Sequence, residues 1–189
     1  VVNVKANSDK ADVKGANIPN GATKITVSKN GYEPASINAK KGDTLDVLVE
    51  NVGRINFGKD FIYDRKGITE KVLFDGQDLK NWQIFSLPFD DLSKLKFSTK
   101  LADNSVFFRG SFNLNEVGDT FLDMRNWGKG YVWVNGHHLG RYWQIGPQQS
   151  LYVPAGWLKK GKNSIIVLDL ENKGNRSVKS GKEILYETK

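Results

Sequence analysis

Short stretches of alternating apolar and polar residues recur along the chain, and most are followed by turns containing glycine, asparagine or lysine. Within residues 44–50, Leu45, Val47 and Val49 fall on one face, which is typical of a half-buried β-strand. Further short runs that are typical of strands, alternating or apolar, lie at residues 24–28, 36–39, 71–74, 106–112, 120–124, 151–154 and 165–170. Many short strands separated by turns predict an all-β fold.

The clearest local signal is a pair of apolar, aromatic-rich runs in residues 130–143, arranged around Asn135-Gly136. Both turn residues tolerate positive φ, so the pair predicts a type I′ turn joining two strands in a tight hairpin. Alternation should place Val132 and Val134 on one face of the hairpin and aromatic rings on the other.

A sequence pattern that occurs twice in the chain suggests two β-units. Lys40-Lys41-Gly42 precedes an apolar run ending in Glu50-Asn51, and Lys159-Lys160-Gly161 precedes one ending in Glu171-Asn172. The alternative is coincidence, because glycine-containing turns before strands are common. We expect two jelly-roll or β-sandwich units. Residues 1–78 would form a short or truncated first unit and residues 79–189 a second, jelly-roll unit.

Composition narrows the class of protein. Of 189 residues, 39% are hydrophobic and 11% aromatic, which is not the composition of a disordered chain. The formal net charge of +7 raises the question of nucleic acid, but the lysines are scattered among turns, where they keep sheet edges soluble. We therefore predict no nucleic-acid partner.

The chain contains no cysteine, which excludes disulfides, thiol catalysis and cysteine-ligated zinc. No run approaches the ~20 apolar residues that cross a bilayer, so no membrane span is predicted. The first residues do not form a signal peptide, and an export signal would lie outside this chain.

Several rare positions recur in an order that resembles a known family. They are Trp127-Gly128-Lys129-Gly130, Leu139-Gly140-Arg141-Tyr142-Trp143, Gly146-Pro147-Gln148-Gln149 and the turn at 157–163. Together they resemble the C-terminal β-sandwich region of family 35 glycoside hydrolases, the β-galactosidases. Residues 51–58 and 64–69 are similar to the first β-domain of that family, whereas residues 1–41 depart from its pattern.

The resemblance implies a fold, two partners and a location. The family's β-domains are galactose-binding-like jelly rolls, and its catalytic barrel is a separate domain of the parent protein. The implied partners are therefore a galactose-containing glycan and that barrel. The family also implies an extracytoplasmic location, secreted or periplasmic.

Catalysis by this chain alone is not expected. Family members are retaining glycosidases that use two glutamates on a TIM barrel, with carboxyl groups about 5–5.5 Å apart. The chain has neither the barrel's βα alternation nor the family's catalytic motifs, so no catalytic residue is carried over. Its own acidic candidates are more consistent with anchoring turns; they are Glu50, Asp64, Glu70, Asp119, Asp123 and Glu171.

A metal site is not expected either. His137 and His138 are the only histidines, and adjacent strand residues point to opposite faces. Sugar-binding β-sandwiches often hold a structural Ca²⁺ ion, but no run of carboxylates here demands one. We therefore predict no cofactor.

Sugars present apolar C–H faces and a ring of hydroxyls, so aromatic plates with nearby polar donors suit them. The segment 127–143 supplies both kinds of group. The candidate carbohydrate-binding residues are Trp127, Tyr131, Trp133, His137, His138, Arg141 and Trp143. The alternative is that these rings pack in a core, and that the chain is a scaffold buttressing the catalytic barrel without binding sugar.

Overall fold

A computed structural model describes residues 26–28, 31–33, 37–50, 56–98, 106–171 and 177–185. Regular structure in this part of the chain is β-strand, apart from two short 3₁₀ turns at Lys59–Tyr63 and Ala155–Trp157. The predicted all-β class is therefore confirmed. The chain divides into two compact units, which meet along the sequence between Pro88 and Phe89. The predicted boundary between residues 78 and 79 stays a prediction.

The described residues of the first unit include two small pairs of antiparallel strands. Strands β1 (Thr26–Ser28) and β2 (Gly31–Glu33) form one, and β3 (Leu73–Phe74) and β4 (Gln77–Asp78) form the other. The turn of the second hairpin is Asp75-Gly76, and both of its residues have positive φ, as a type I′ turn requires.

The regular strand predicted over residues 44–50 is wrong. Only Leu45 and Val47 make isolated bridges there, and Val49 is exposed. Leu45 is the single buried side chain among the described residues of this unit. Alternation alone does not make a strand, because an apolar face needs a partner surface to bury it.

In the described residues of the second unit, seven antiparallel strands form two sheets. They are β5 (Val106–Leu114), β6 (Thr120–Asp123), β7 (Lys129–Val134), β8 (His137–Trp143), β9 (Ser150–Val153), β10 (Gly161–Asp169) and β11 (Lys179–Gly181). A four-stranded sheet has the order β5-β10-β7-β8, and a three-stranded sheet has the order β11-β6-β9.

The two sheets of the second unit pack face to face. Their shared core is Leu122, Met124, Trp127, Val132, Val134, Tyr142, Leu151, Val153 and Val167. These residues come from both sheets and from the loop between β6 and β7. Val132 and Val134 are fully buried, as the alternation predicted.

The predicted hairpin around Asn135-Gly136 is confirmed as β7 and β8. Asn135 has φ 49° and Gly136 has φ 85°, and the strands pair directly from Val134 to His137. One irregularity follows: Trp133 pairs with His138 but Val132 pairs with Gly140, so Leu139 is an extra residue. Gly140 takes φ 111° beside this β-bulge, a value that suits glycine.

Two asparagines connect the hairpin turn to the loop before β10. The Nδ2 group of Asn135 donates to the carbonyl of Trp157 and to Oδ1 of Asn163, each at 2.8 Å. Asn163 is 1% exposed; its Oδ1 also accepts from the Lys159 amide, and its Nδ2 donates to the carbonyls of Lys159 and Gly161. The Asn163 amide thus satisfies four neighbouring polar groups.

Replacing Asn163 with alanine is expected to lower the free energy of unfolding of the second unit by about 2–3 kcal/mol, because buried polar partners lose their hydrogen bonds. Urea unfolding followed by circular dichroism measures this change. Asn113→Ala, at an exposed position of β5 paired with Lys162, is the matched control and should stay within about 0.5 kcal/mol of wild type. Equal losses for both variants would contradict the account.

Candidate functional site

The outer face of the four-stranded sheet, opposite the shared core, carries most of the candidate residues. Strand pairing sets Phe107, Leu168, Tyr131 and Arg141 in one row across the four strands. The next row is Arg109, Ile166, Trp133 and His138. Lys129 and Trp143 face each other at the end of β7 and β8.

The bulge at Leu139 decides which β8 residues share this face. In an unbroken strand His138 would point away from Arg141, because their separation is an odd number of residues. The extra residue restores the alternation, so His138 and Arg141 pair with the outer-face residues Trp133 and Tyr131 respectively.

Three rings form a contiguous cluster on the outer face. The ring of His138 lies 4.9 Å from that of Trp133 and 5.7 Å from that of Tyr131, and the Tyr131 and Trp133 centroids are 6.4 Å apart. Tyr131 is half-buried and His138 is exposed, whereas Trp133 is only 5% exposed. Partial burial lowers the pKa of His138 and favours the neutral imidazole, which can donate one hydrogen bond and accept another.

The half-buried indole of Trp143 lies beside two cations. The Lys129 Nζ is 4.4 Å from the ring centroid and the Arg141 guanidinium is 5.2 Å from it. The Arg141 Nη2 also donates to Oε1 of Gln148 at 3.3 Å. We call Tyr131, His138, Arg141 and Trp143, with Lys129, the outer-face patch.

Two candidate residues lie elsewhere. Trp127 follows a turn but is 3% exposed; its ring meets those of Phe108 and Tyr142 in the core, and its Nε1 donates to the Ser177 carbonyl at 2.8 Å. Trp127 is therefore a core residue and cannot belong to a surface binding site. His137 stacks on Trp157 with centroids 4.6 Å apart and planes 11° apart, away from the outer-face cluster.

The other five candidate carbohydrate-binding residues lie close together on one face of the four-stranded sheet. Tyr131, Trp133, His138, Arg141 and Trp143 share the outer face, with Trp133 largely covered by neighbouring rings.

Trp133 also borders a cleft of about 380 Å³ that the sequence did not reveal. Its walls come from distant parts of the chain: Asp90, Asp91, Leu92, Ser93, Leu95, Phe97, Arg109, Trp133, Gly136, Ser164 and Ile166.

The acidic candidates make contacts typical of structural carboxylates. Asp123 forms a two-pronged ion pair with Arg125, whose hydrogen bonds lower the pKa of the carboxyl group. Asp119 accepts a hydrogen bond from the Ala155 amide at 2.8 Å, and Asp64 pairs with Lys66. The lowered pKa of the Asp123 carboxyl group suits anchoring better than proton donation.

Within the described ranges, no three His, Asp or Glu side chains lie close enough together to hold a metal ion. The described part of the chain also contains no helix of the length and apolarity needed to cross a membrane.

Comparison with known proteins gives two matches to family models. Residues 2–88 match the first all-beta domain of β-galactosidase, and residues 105–163 match the β-galactosidase galactose-binding domain. The outer-face patch lies entirely within the second match.

Individual relatives agree with the family models. β-Galactosidase 17 of Arabidopsis thaliana is 38% identical over 159 residues, covering 72% of this chain and 23% of the relative. A β-galactosidase of Xanthomonas manihotis is 46% identical over 111 residues, covering 58% and 19%. Mouse β-galactosidase is 33% identical over 187 residues, covering 86% and 28%. The chain thus spans less than a third of the length of these relatives.

Proposed function

Since the chain carries the first all-beta and galactose-binding domains of the β-galactosidases, as its sequence predicted, we propose that it is a non-catalytic region that binds galactose-containing carbohydrate. The observation that carries this proposal is the outer-face patch. It groups half-buried rings with cationic and neutral hydrogen-bonding groups on one rigid sheet.

The chemistry of the patch suits a neutral sugar. Tyr131 and Trp143 offer apolar ring surface for C–H faces, and Arg141 and Lys129 offer N–H donors for hydroxyl oxygens. The imidazole of His138 adds a group that donates and accepts. Because these side chains project from paired strands, little conformational entropy is lost on binding.

The proposed setting follows from the relatives. Their names describe β-galactosidases, and this chain matches only β-domains of that family. We place the catalytic barrel in a separate part of a parent protein and assign no hydrolysis to this chain. An extracytoplasmic site of action rests on the family resemblance alone.

A second candidate function is that of a buttress for the catalytic barrel. It is favoured by large apolar side chains of the first unit that stand in solvent, with Phe57 90% exposed and Ile84 92% exposed. Phe61, Ile62, Tyr63 and Phe85 are exposed as well. Exposed apolar surface of this kind often marks a surface that a partner covers.

Variants of the patch test the sugar-binding proposal. Tyr131→Ala and Arg141→Ala should each weaken the binding of β-galactan oligosaccharides about tenfold, because each removes a direct contact. Isothermal titration calorimetry measures the dissociation constants. Tyr152→Ala removes an exposed tyrosine from the other sheet and should bind as wild type does.

The outcomes separate the two candidates. Wild-type binding that both patch variants retain would place the sugar elsewhere and contradict the patch. Absence of wild-type binding at millimolar sugar would reject the proposal and leave the buttress as the better account.

A further inference from the structure

We infer that the cleft beside Trp133 is a second sugar subsite, so that the chain binds an oligosaccharide that spans the cleft and the outer-face patch rather than a single galactose unit. This inference rests on the proposed carbohydrate binding and assigns residues that the sequence did not single out. It begins with the segment 89–97, which lies over the outer face of the four-stranded sheet.

Aromatic contacts hold both ends of that segment against the sheet. The Phe89 ring meets Phe107 edge-on at 5.4 Å and Trp133 edge-on at 6.3 Å. At the other end, the guanidinium of Arg109 lies 4.4 Å from the ring centroid of Phe97. The segment between these anchors and the sheet beneath it enclose the cleft.

The size and lining of the cleft fit one sugar ring. Its volume of about 380 Å³ falls within the range of small-molecule sites. The half-buried side chains of Ile166 and Phe97, with the small exposed part of Trp133, supply apolar surface, as the C–H face of a sugar requires. Exposed polar groups surround this surface, so hydroxyls can be paired as the apolar face is buried.

The charged groups in the cleft supply both hydrogen-bond donors and hydrogen-bond acceptors. Arg109 can only donate hydrogen bonds, whereas the carboxylates of Asp90 and Asp91 accept them. The Ser93 amide donates to Oδ1 of Asp91 at 2.9 Å, and hydrogen bonds from Ser93 lower the pKa of this carboxyl group. Sugar hydroxyls can pair with both kinds of group.

The cleft and the outer-face patch are adjacent. Trp133 lines the cleft, and its ring also lies 4.9 Å from His138 and 6.4 Å from Tyr131, which belong to the patch. A ligand with linked sugar units can therefore occupy both places, and its affinity should rise with chain length until both are filled.

Isothermal titration of the full chain with galactose and with β-galactan oligosaccharides tests this inference. Arg109→Gln and Asp90→Asn should each weaken oligosaccharide binding about tenfold, since each removes a hydrogen-bonding charge. Lys162→Gln is the control, because it removes an exposed cation of β10 that does not line the cleft. The control should keep wild-type affinity.

Each outcome bears on one proposal or both. Oligosaccharide binding that both cleft variants retain, or equal wild-type affinity for galactose and oligosaccharide, overturns the second subsite and leaves the patch proposal standing. Failure of the wild-type chain to bind any of these sugars overturns both. Asp90→Asn keeps the test valid if loss of the Arg109–Phe97 contact disturbs folding, because Asp90 is exposed and its replacement is isosteric.

Discussion

Replacing Gly130 with alanine is expected to abolish stable folding of the second unit. A Cβ atom built on Gly130 would lie 1.8 Å from the carbonyl oxygen of Leu168 and 2.8 Å from its carbon. These atoms belong to the backbone of the neighbouring strand β10, so they cannot swing aside as a flexible side chain would. The Leu168 oxygen also accepts the hydrogen bond of the buried Tyr142 hydroxyl at 3.1 Å.

The clash should cost at least about 3 kcal/mol, a large part of the stability of an ordinary domain. Urea unfolding and one-dimensional NMR of the full chain measure the loss. Gly118→Ala is the matched control, because a Cβ there meets nothing within 4 Å and the backbone is not in the left-handed region. Similar unfolding midpoints for both variants would show that β7 and β10 do not pair as described.

Replacing Trp127 with alanine should lower the free energy of unfolding of the second unit by about 3–5 kcal/mol, because a buried indole is lost from the core. The ring contacts with Phe108 and Tyr142 disappear, and the Ser177 carbonyl loses its indole donor. Differential scanning calorimetry of the full chain measures the shift in the transition of the second unit.

Trp143→Ala provides the contrast, since it removes an indole from the outer face. We expect it to cost about 1 kcal/mol or less in stability but to weaken sugar binding, whereas Trp127→Ala weakens only stability. A Trp127→Ala variant with wild-type stability and lost affinity would contradict the placement of this ring in the core.

Local signals in the sequence predicted the local parts of the fold. Asn135-Gly136 specified its hairpin because two adjacent positive φ angles suit few other residue pairs. The alternation of Val132 and Val134 specified the buried face of β7 because β-strands have a period of two residues. Both features depend on neighbours in the chain and need no knowledge of distant contacts.

Features that depend on distant contacts could not be predicted from the sequence. Trp127 was a candidate for sugar binding, but its ring packs in the shared core and its indole donates to the Ser177 carbonyl. The extra residue at Leu139 moves Arg141 and Trp143 onto the outer face that carries His138, and no composition rule predicts a bulge at that residue. The strand expected at 44–50 does not form, and Leu45 is the one buried side chain in that range.

The candidate site was predicted only in part, because it combines a local hairpin with contacts between distant parts of the chain. Residues on β7 and β8 could be grouped because the hairpin was predicted. The cleft could not be predicted, because it joins the segment 89–97 to β5, β7 and β10 across long stretches of sequence. Arg109 and Asp90 carry no local pattern that marks them as ligand-binding residues.

The measurement that tests the central claim most directly is a tryptophan-fluorescence titration of the wild-type chain with galactose, lactose and β-galactan oligosaccharides. Trp143 belongs to the outer-face patch and Trp133 borders the cleft, so a bound sugar should alter their emission. The account predicts a saturable shift that is stronger for the oligosaccharides than for galactose. The absence of any shift at millimolar sugar would contradict it and favour a role as a structural buttress.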